Sequence, residues 1–263
     1  MKMLSRKAQL KDGVFISFCE REVMAANMYT FESRVRYSET DASGRLTPEK
    51  LIDYFQDCST FQSEEKGIGV KAMRERGLAW IIVYWRVEIL RMPCLGECVR
   101  VGTFPYEMKG GIALRNFLLE TADGERLAVA NSVWTLVESK SMRPVRIPED
   151  VLECYHLGER LSMEYDSRKI RVPDLPASFG AEVTVREYHL DSNQHMNNGQ
   201  YVRIAAGYLP AGKKIRTLRI EYRKQAVLGD RITPVLYEMA GNVCISLNAE
   251  DGKPYAVLEV VLE

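Results

Sequence analysis

The chain has 263 residues, of which 46% are hydrophobic and 27% charged, a balance that permits a packed core. Its 36 basic and 36 acidic residues cancel to a formal net charge of zero, which removes any overall electrostatic case for nucleic-acid binding. No run approaches the ~18 consecutive apolar residues that a membrane span requires. We therefore expect neither nucleic acid nor a membrane as a partner.

Residues 1–27 carry the weakest pattern in the chain. Lys2, Arg6 and Lys7 resemble the start of a signal peptide, but the apolar run at 14–19 is too short for its hydrophobic region and charged residues follow. We interpret 1–27 as an extension that is poorly ordered or lies upstream of the true start. A cytoplasmic location is then the default expectation.

The first predicted unit runs from an alternating strand at 31–37 through a polar loop into a helix. Thr47 suits the N-cap position, and Pro48 would occupy the favoured first position of the helix. Further along, Lys109-Gly110-Gly111 and Asp123-Gly124 predict hairpin turns between antiparallel strands.

A second unit of the same kind begins near residue 182. The segment 182–186 alternates polar and apolar residues, as a half-buried strand does. A polar loop at 191–198 follows, and it leads into a predicted helix whose apolar positions are Tyr201, Ile204, Ala205 and Tyr208. Asp251-Gly252 then predicts a hairpin turn late in this unit.

The two units are diverged copies. A shift of 150 residues without a gap pairs Asp41 with Asp191, and a shift of 133 pairs the strand that begins at Arg86 with the one that begins at Arg219. The copies differ in the loop itself, where Ser43 and Arg45 of the first stand against Asn193 and His195 of the second. We therefore expect one site per chain, in the second copy, and a first copy that has specialised in another task.

The loop at 191–198 offers the groups that acyl chemistry needs. His195 has an unperturbed pKa near neutrality and can act as a general base. Asn193 could position water or a carbonyl group, and backbone N–H groups at the helix start, around 198–200, could stabilise an oxyanion. A plainer alternative is that Asn197 or Asn198 only caps the helix and that His195 is a surface residue.

Three segments carry a resemblance to a known family: NQHMNN at 193–198, IEYRKQA at 220–226 and RPVRIPED at 143–150. Together with the repeat, they make the chain similar to the acyl-ACP thioesterases, of the bacterial, single-chain double-hotdog type. The resemblance implies an α+β fold, a tandem double hotdog in which each half is a long helix wrapped by a curved antiparallel sheet. The halves would span 28–138 and 179–263, with 139–178 as the linker.

The resemblance also assigns roles to residues. Asp191, Asn193 and His195 match catalytic positions. Gln225 is a fourth catalytic candidate, but here the chain departs from the plant pattern, which has an acid and a cysteine where this chain has Gln225 and Ala226. Without that cysteine a covalent mechanism is disfavoured, and either His195 or Asp191 is left as the base. We further expect the substrate to contact Asn197, Asn198, Phe55 and Trp85. The last two belong to a wider set of candidates for an acyl-chain pocket in the first half, with Phe61, Trp80, Ile82 and Tyr84.

The implied function is hydrolysis of acyl-ACP to a free fatty acid and holo-ACP, with acyl carrier protein as partner and no cofactor or metal. Alternatives are an acyl-CoA or aromatic-CoA thioesterase of the same fold, or a non-catalytic hotdog that binds acyl thioesters. A homodimer is a possible assembly. Basic residues that could dock the acidic carrier protein cluster between the second helix and the following strand, at Lys213, Lys214, Arg216, Arg219, Arg223 and Lys224.

Overall fold

The computed structural model describes residues 28–210 and 212–263. The interpretation of 1–27 as an extension therefore falls outside the described residues. No helix in the described part is long and apolar enough to cross a membrane.

The first unit contains five strands and two helices. They are β1 (Tyr29–Arg34), α1 (Pro48–Glu65), α2 (Val70–Glu75), β2 (Leu78–Ile89), β3 (Cys98–Lys109), β4 (Ile112–Thr121) and β5 (Arg126–Glu138), with a short 3₁₀ turn at Tyr37–Glu39. Helix α1 begins where the sequence predicts, with Thr47 as the N-cap residue and Pro48 in the first turn.

The second unit repeats this order. Helix α3 (Glu149–Glu153) lies between the units, and the second comprises β6 (Ser178–Phe179), β7 (Val183–Thr184), a 3₁₀ turn at Glu187–His189, α4 (Asn198–Ala206), β8 (Ile215–Tyr222), β9 (Arg231–Met239), β10 (Asn242–Asn248) and β11 (Pro254–Leu262). The predicted hairpin turns at Asp123-Gly124 and Asp251-Gly252 join β4 to β5 and β10 to β11. Their glycines have φ of +88° and +78°, the left-handed region that favours glycine.

All strands belong to one antiparallel sheet, in the order β1-β3-β4-β5-β2-β8-β11-β10-β9-β6, with β7 paired to β9. The two halves meet where β2 pairs with β8, from Tyr84 opposite Glu221 to Glu88 opposite Thr217. Outward from this seam, the strand order is β2-β5-β4-β3-β1 in the first half and β8-β11-β10-β9-β6 in the second. The two orders correspond strand by strand, which confirms the fold predicted from the internal repeat.

One face of the sheet packs on the two helices. Phe55 of α1, Trp85 of β2 and Phe117 of β4 form a fully buried aromatic cluster there, with ring centroids 4.9–6.1 Å apart. Helix α4 lies against α1 at Gly199, where a Cβ would lie too close to Oδ1 of Asp53 for a contact and 3.3 Å from the backbone oxygen of Glu49. Glycine at this position therefore allows the close approach of the two helices.

The opposite face of the sheet is covered by the connection between the halves. Leu161 packs with Phe104 and Leu118 of the first half, and Ile170 packs with Tyr84 and Val257 across the seam. Polar contacts reinforce this strap, which we define as residues 155–172. Arg86 pairs with Glu164 and Asp166, Ser167 O accepts from Arg219 Nη2 at 2.9 Å, and Ile170 N–H donates to Glu221 at 2.9 Å.

Two local expectations need correction. A long helix occurs only in the first half, because α4 has 9 residues against 18 in α1. Pro210 lies just beyond Tyr208, where it prevents the helix from continuing, and the Tyr208 hydroxyl donates to Ala181 O at 3.2 Å instead of extending a helical face. The predicted strand at 182–186 forms only two paired residues, Val183 and Thr184.

Candidate active site

The loop before each helix has the same backbone hydrogen bonds at an offset of 150 residues. Asp191 N–H donates to His195 O at 2.8 Å, as Asp41 N–H does to Arg45 O at 2.8 Å. The carboxylate Oδ1 of Asp191 accepts from Asn193 N–H at 2.7 Å and His195 N–H at 3.4 Å. Asp41 holds its own loop in the same way, so the aspartate shapes a turn that does not depend on the imidazole.

The turn carries backbone strain only in the second half. Its left-handed position is occupied by Gly44, with φ of +74°, in the first half and by Gln194, with φ of +63°, in the second. Left-handed backbone costs a residue with a Cβ roughly 1–2 kcal/mol. Gln194 therefore holds a conformation that its own residue type disfavours, and its side chain lines the cavity described below.

Asn197 is the N-cap residue of helix α4. Its side chain accepts from Gly199 N–H at 2.8 Å, the bond of an N-cap residue. The plainer interpretation of Asn197 as a cap is thereby confirmed. Asn197 does not contribute to the cavity wall, so the structure gives it no substrate contact, whereas Asn198 does line the cavity.

A cavity of about 1070 Å³ connects this loop with the interior of the first half. At one end it is lined by the residues predicted to be catalytic, Asp191, Asn193, His195 and Gln225, which the fold brings together from the loop and from the segment after β8. Deeper inside, its wall comes from α1, α2, β2, β3, β4 and β5. Its apolar part includes Ile68, Met73, Trp80, Ile82, Met108 and Trp134.

The assignment of Phe55 and Trp85 to substrate contact is not matched by their position. Both side chains are fully buried in the aromatic cluster, and neither lines the cavity. A bulge in β2 between Ile82 and Tyr84 brings Trp85 to the same face as Ile82, but further along the strand, in the aromatic cluster, and it turns Tyr84 to the opposite face. Of the wider set, Trp80 and Ile82 line the cavity, whereas Tyr84 lies under the strap and Phe61 packs on Phe31.

Arg74 of helix α2 is a site residue that the sequence did not indicate. Its Nη2 donates to Ser192 O at 3.0 Å and to Asn193 Oδ1 at 3.2 Å. Because Oδ1 is engaged, the N–H groups of the Asn193 amide remain to donate to a ligand. The first half thus supplies a residue to the site, which corrects the expectation that the second half forms it alone.

The oxyanion donors at the helix start are fewer than expected. Gly199 N–H is bonded to the Asn197 side chain, and Gln200 N–H donates to Asn197 O at 3.0 Å. Asn198 N–H has no acceptor within 28–210 or 212–263. Asn198 is itself fixed, since its Nδ2 donates to Gln56 at 2.8 Å and its carbonyl accepts from Tyr222 at 3.1 Å. Burial raises the pKa of Tyr222 well above its ordinary value, so its hydroxyl stays a neutral donor.

The segment after β8 completes the site. Ala226 is fully buried, its N–H donates to the Tyr201 hydroxyl at 2.9 Å, and its carbonyl accepts from Met196 N–H at 2.8 Å. These bonds fasten the segment to both the loop and α4. Gln225 is thereby held half-buried at the cavity wall, where its amide can bind water but cannot act as a base.

Of the six clustered basic residues, Arg223 and Lys224 line the cavity, and only Lys224 does so without an ion pair to a described residue. Arg219 is paired with Glu259 and bonded to Tyr84, and Arg223 is bonded to Glu221 and Ile170 O. Lys213 and Lys214 precede β8, whereas the cavity lies beyond its other end, about 25–30 Å away along an extended chain. Lys224 lies at the cavity, with Nζ 5.0 Å from the Tyr255 ring. The expected docking patch is therefore divided, and its members have different environments.

These observations define a tandem double-hotdog protein with one acid, amide and imidazole site at the mouth of an internal cavity. Residues 26–155 match the model of the acyl-ACP thioesterase N-terminal domain, and residues 174–252 match that of the C-terminal domain. The chain belongs to the acyl-ACP thioesterase family, as its motifs predicted.

Individual relatives of known name are similar to this chain at about one quarter identity. A chloroplastic palmitoyl-acyl carrier protein thioesterase of Arabidopsis thaliana is 26% identical over 207 residues, which are 73% of this chain and 50% of that protein. The chain spans about half the length of the curated relatives it matches.

Two solved structures share the fold. An acyl-ACP thioesterase from Bacteroides thetaiotaomicron superposes with a TM-score of 0.81 at 21% identity, covering 93% of this chain and 99% of that one. A 12:0-ACP thioesterase from Umbellularia californica gives a TM-score of 0.77 at 18% identity, covering 90% of this chain and 97% of that one.

The contact between Arg74 and Asn193 can be tested by mutation. We expect Arg74→Met to lower kcat roughly tenfold with little change in KM. The substitution removes the charged donor to Asn193 Oδ1, so the Asn193 amide is no longer held in one orientation. Steady-state kinetics with an acyl thioester would measure this. Lys71→Met removes a charge from the same helix at a residue that pairs only weakly with Glu75, at 3.9 Å, and it is the matched control. Equal losses in both variants would contradict a specific role for Arg74.

Proposed function

We propose that this protein hydrolyses the thioester of acyl-ACP, releasing a free fatty acid and holo-ACP in fatty-acid biosynthesis. The observation that carries the proposal is the position of His195 and Asn193 at one end of a cavity that extends deep into the first half. A long acyl chain can enter such a cavity while its thioester stays beside the imidazole. Membership of the acyl-ACP thioesterase family supports the same substrate class.

The groups at the site suggest how the reaction would proceed. His195 would take a proton from a water molecule, and the resulting hydroxide would attack the thioester carbon. The free N–H groups of Asn193 and the backbone N–H of Asn198 would donate to the oxyanion that forms. The C–S bond would then break, and the imidazolium would return its proton to the departing thiolate. Gln225 would hold the attacking water.

A comparison of carriers tests this function. We expect kcat/KM for acyl-ACP to exceed that for the matched acyl-CoA, because a carrier protein can contact the surface around the cavity mouth as well as the cavity. Steady-state assays of both substrates with the same acyl chain would measure the ratio. A higher kcat/KM for acyl-CoA would favour the acyl-CoA alternative, and binding of both without turnover would favour a non-catalytic role.

The docking of an acidic carrier can be tested within the same assay. We expect Lys224→Glu to raise KM for acyl-ACP, most strongly at low salt, and to spare a small carrier-free thioester, because electrostatic docking mainly affects association and is screened by ions. Lys213→Glu makes the same charge change at the far end of β8 and should have little effect. An equal rise in KM for both variants would mean that docking involves a wider surface.

Three earlier expectations stay predictions: the domain limits at 138 and 179, a homodimer and a cytoplasmic location. The elements of the first unit end with β5 at Glu138, and β6 begins at Ser178, the last residue of the predicted linker. Sedimentation of the purified protein would decide between monomer and homodimer, and fractionation of cells would decide the location.

A further inference from the structure

A buried arginine lies in the wall of the acyl-chain cavity. Arg115 of β4 is 5% exposed, lines the cavity, and has no carboxylate of the described residues within ion-pairing distance. Its Nη2 donates to Gln62 Oε1 and, at 3.4 Å, to Thr103 Oγ1. Its Nε has no hydrogen-bond partner in the described part of the chain. A guanidinium buried without a counter-charge is expensive, so its presence here calls for a ligand group.

The sheet register places Arg115 at the inner end of the cavity. Along β4, Ala113 and Arg115 line the cavity, but the next residue on that face, Phe117, belongs to the closed aromatic cluster. Across the sheet, Arg115 lies opposite Ser132, which lies opposite Trp85 of the same cluster. The guanidinium therefore sits where the aromatic cluster closes the cavity, the place that the far end of an acyl chain would reach.

Other polar groups line the same region. The Ser63 hydroxyl and the Tyr155 hydroxyl are 2.9 Å apart, and the Arg115 guanidinium lies 5.4 Å from the centroid of the Tyr155 ring. Burial lowers the pKa of Arg115, as expected for a cation without a neighbouring anion. A hydrocarbon end alone would leave the Nε of Arg115 without water and without an acceptor.

We propose that the cavity selects acyl chains that carry a hydroxyl or oxo oxygen towards their distal end, which accepts a hydrogen bond from Arg115. This specificity rests on the proposed function, since it concerns the acyl group of the same thioester. The oxygen takes the place of water at the guanidinium. An unsubstituted chain of the same length also displaces water from the guanidinium, but it accepts no hydrogen bond in its place.

The test compares acyl-ACP substrates that differ only in a terminal hydroxyl, in a series from octanoyl to hexadecanoyl. At the chain length that reaches Arg115, we expect kcat/KM to be roughly 10- to 100-fold higher for the hydroxylated chain, the effect of one hydrogen bond to a charged group. Arg115→Met should abolish or reverse this preference. Arg100→Met is the matched control, because Arg100 lies on the opposite face of the neighbouring strand, paired with Glu120, and should keep the preference.

The outcomes are distinguishable. No preference for hydroxylated chains at any length in the unaltered protein overturns the proposal, and this comparison needs no variant to fold. A preference that survives in Arg115→Met also overturns it. Calorimetric binding of the free hydroxylated and unsubstituted fatty acids separates the two proposals. Tighter binding of the hydroxylated acid without hydrolysis of any thioester would support the subsite and refute the hydrolase function.

Discussion

We expect His195→Ala to lower kcat by about 10²–10⁴-fold, the usual contribution of a general base. The imidazole makes no side-chain hydrogen bond within the described residues, and the turn is held by backbone bonds and by Asp191. Removal of the ring should therefore leave the loop and the fold unchanged. Steady-state hydrolysis of acyl-ACP, with thermal unfolding as a check on stability, would measure both effects.

The chain contains a control for this experiment. Arg45 occupies the position of His195 in the first half, in a loop with the same backbone hydrogen bonds. Arg45→Ala should leave kcat within a few-fold of the unaltered protein, because Arg45 does not line the cavity. If Arg45→Ala reduced turnover as much as His195→Ala, both halves would contribute to catalysis and the site would have to be redrawn.

The second large effect is expected at Asp191. We expect Asp191→Ala to lower kcat at least about 10²-fold, because the N–H groups of Asn193 and His195 lose their common acceptor and the loop that positions both side chains can shift. Asp191→Asn retains an oxygen that can accept the same two bonds. We therefore expect it to keep kcat within roughly tenfold of the unaltered protein.

These two substitutions distinguish a role of Asp191 in holding the loop from a role of its negative charge. The equivalent Asp41 makes the same bonds in a loop without an imidazole, which supports a role in shaping the turn. Kinetics of both variants, with thermal unfolding as the measure of stability, would decide the matter. If Asp191→Asn were as inactive as Asp191→Ala while equally well folded, the carboxylate charge would be needed, and Asp191 would become the candidate base.

The parts of the site that the sequence predicted are those built by local bonds. The turn at 191–197 is closed by hydrogen bonds between residues a few positions apart, so its residue types and its repeat reveal it. Arg74 reaches Ser192 and Asn193 from more than a hundred residues away, and nothing in the local pattern around α2 indicates that contact. Long-range contacts of this kind depend on the packed fold.

Predictions about which face a residue occupies were less reliable. The bulge after Ile82 moves Tyr84 from the expected cavity wall to the face under the strap, and a one-residue change of register is invisible in an alternating pattern. The basic residues 213–224 form a single cluster in sequence, but β8 separates their ends and acidic partners occupy Arg219 and Arg223. Proximity along the chain is thus a weak guide to a shared surface.

The strap across the seam has a consequence for how a substrate enters. Enzymes made of two lobes often enclose their substrate by closing about a hinge. Here the backbone hydrogen bonds between β2 and β8 join the two lobes within the sheet. The strap joins them a second time on one face of the sheet, through the buried Ile170 and the ion pairs of Arg86. We therefore expect Arg74 and His195, which come from opposite lobes, to keep their spacing during turnover, so that the acyl chain of the proposed substrate has to thread through a mouth that is already formed.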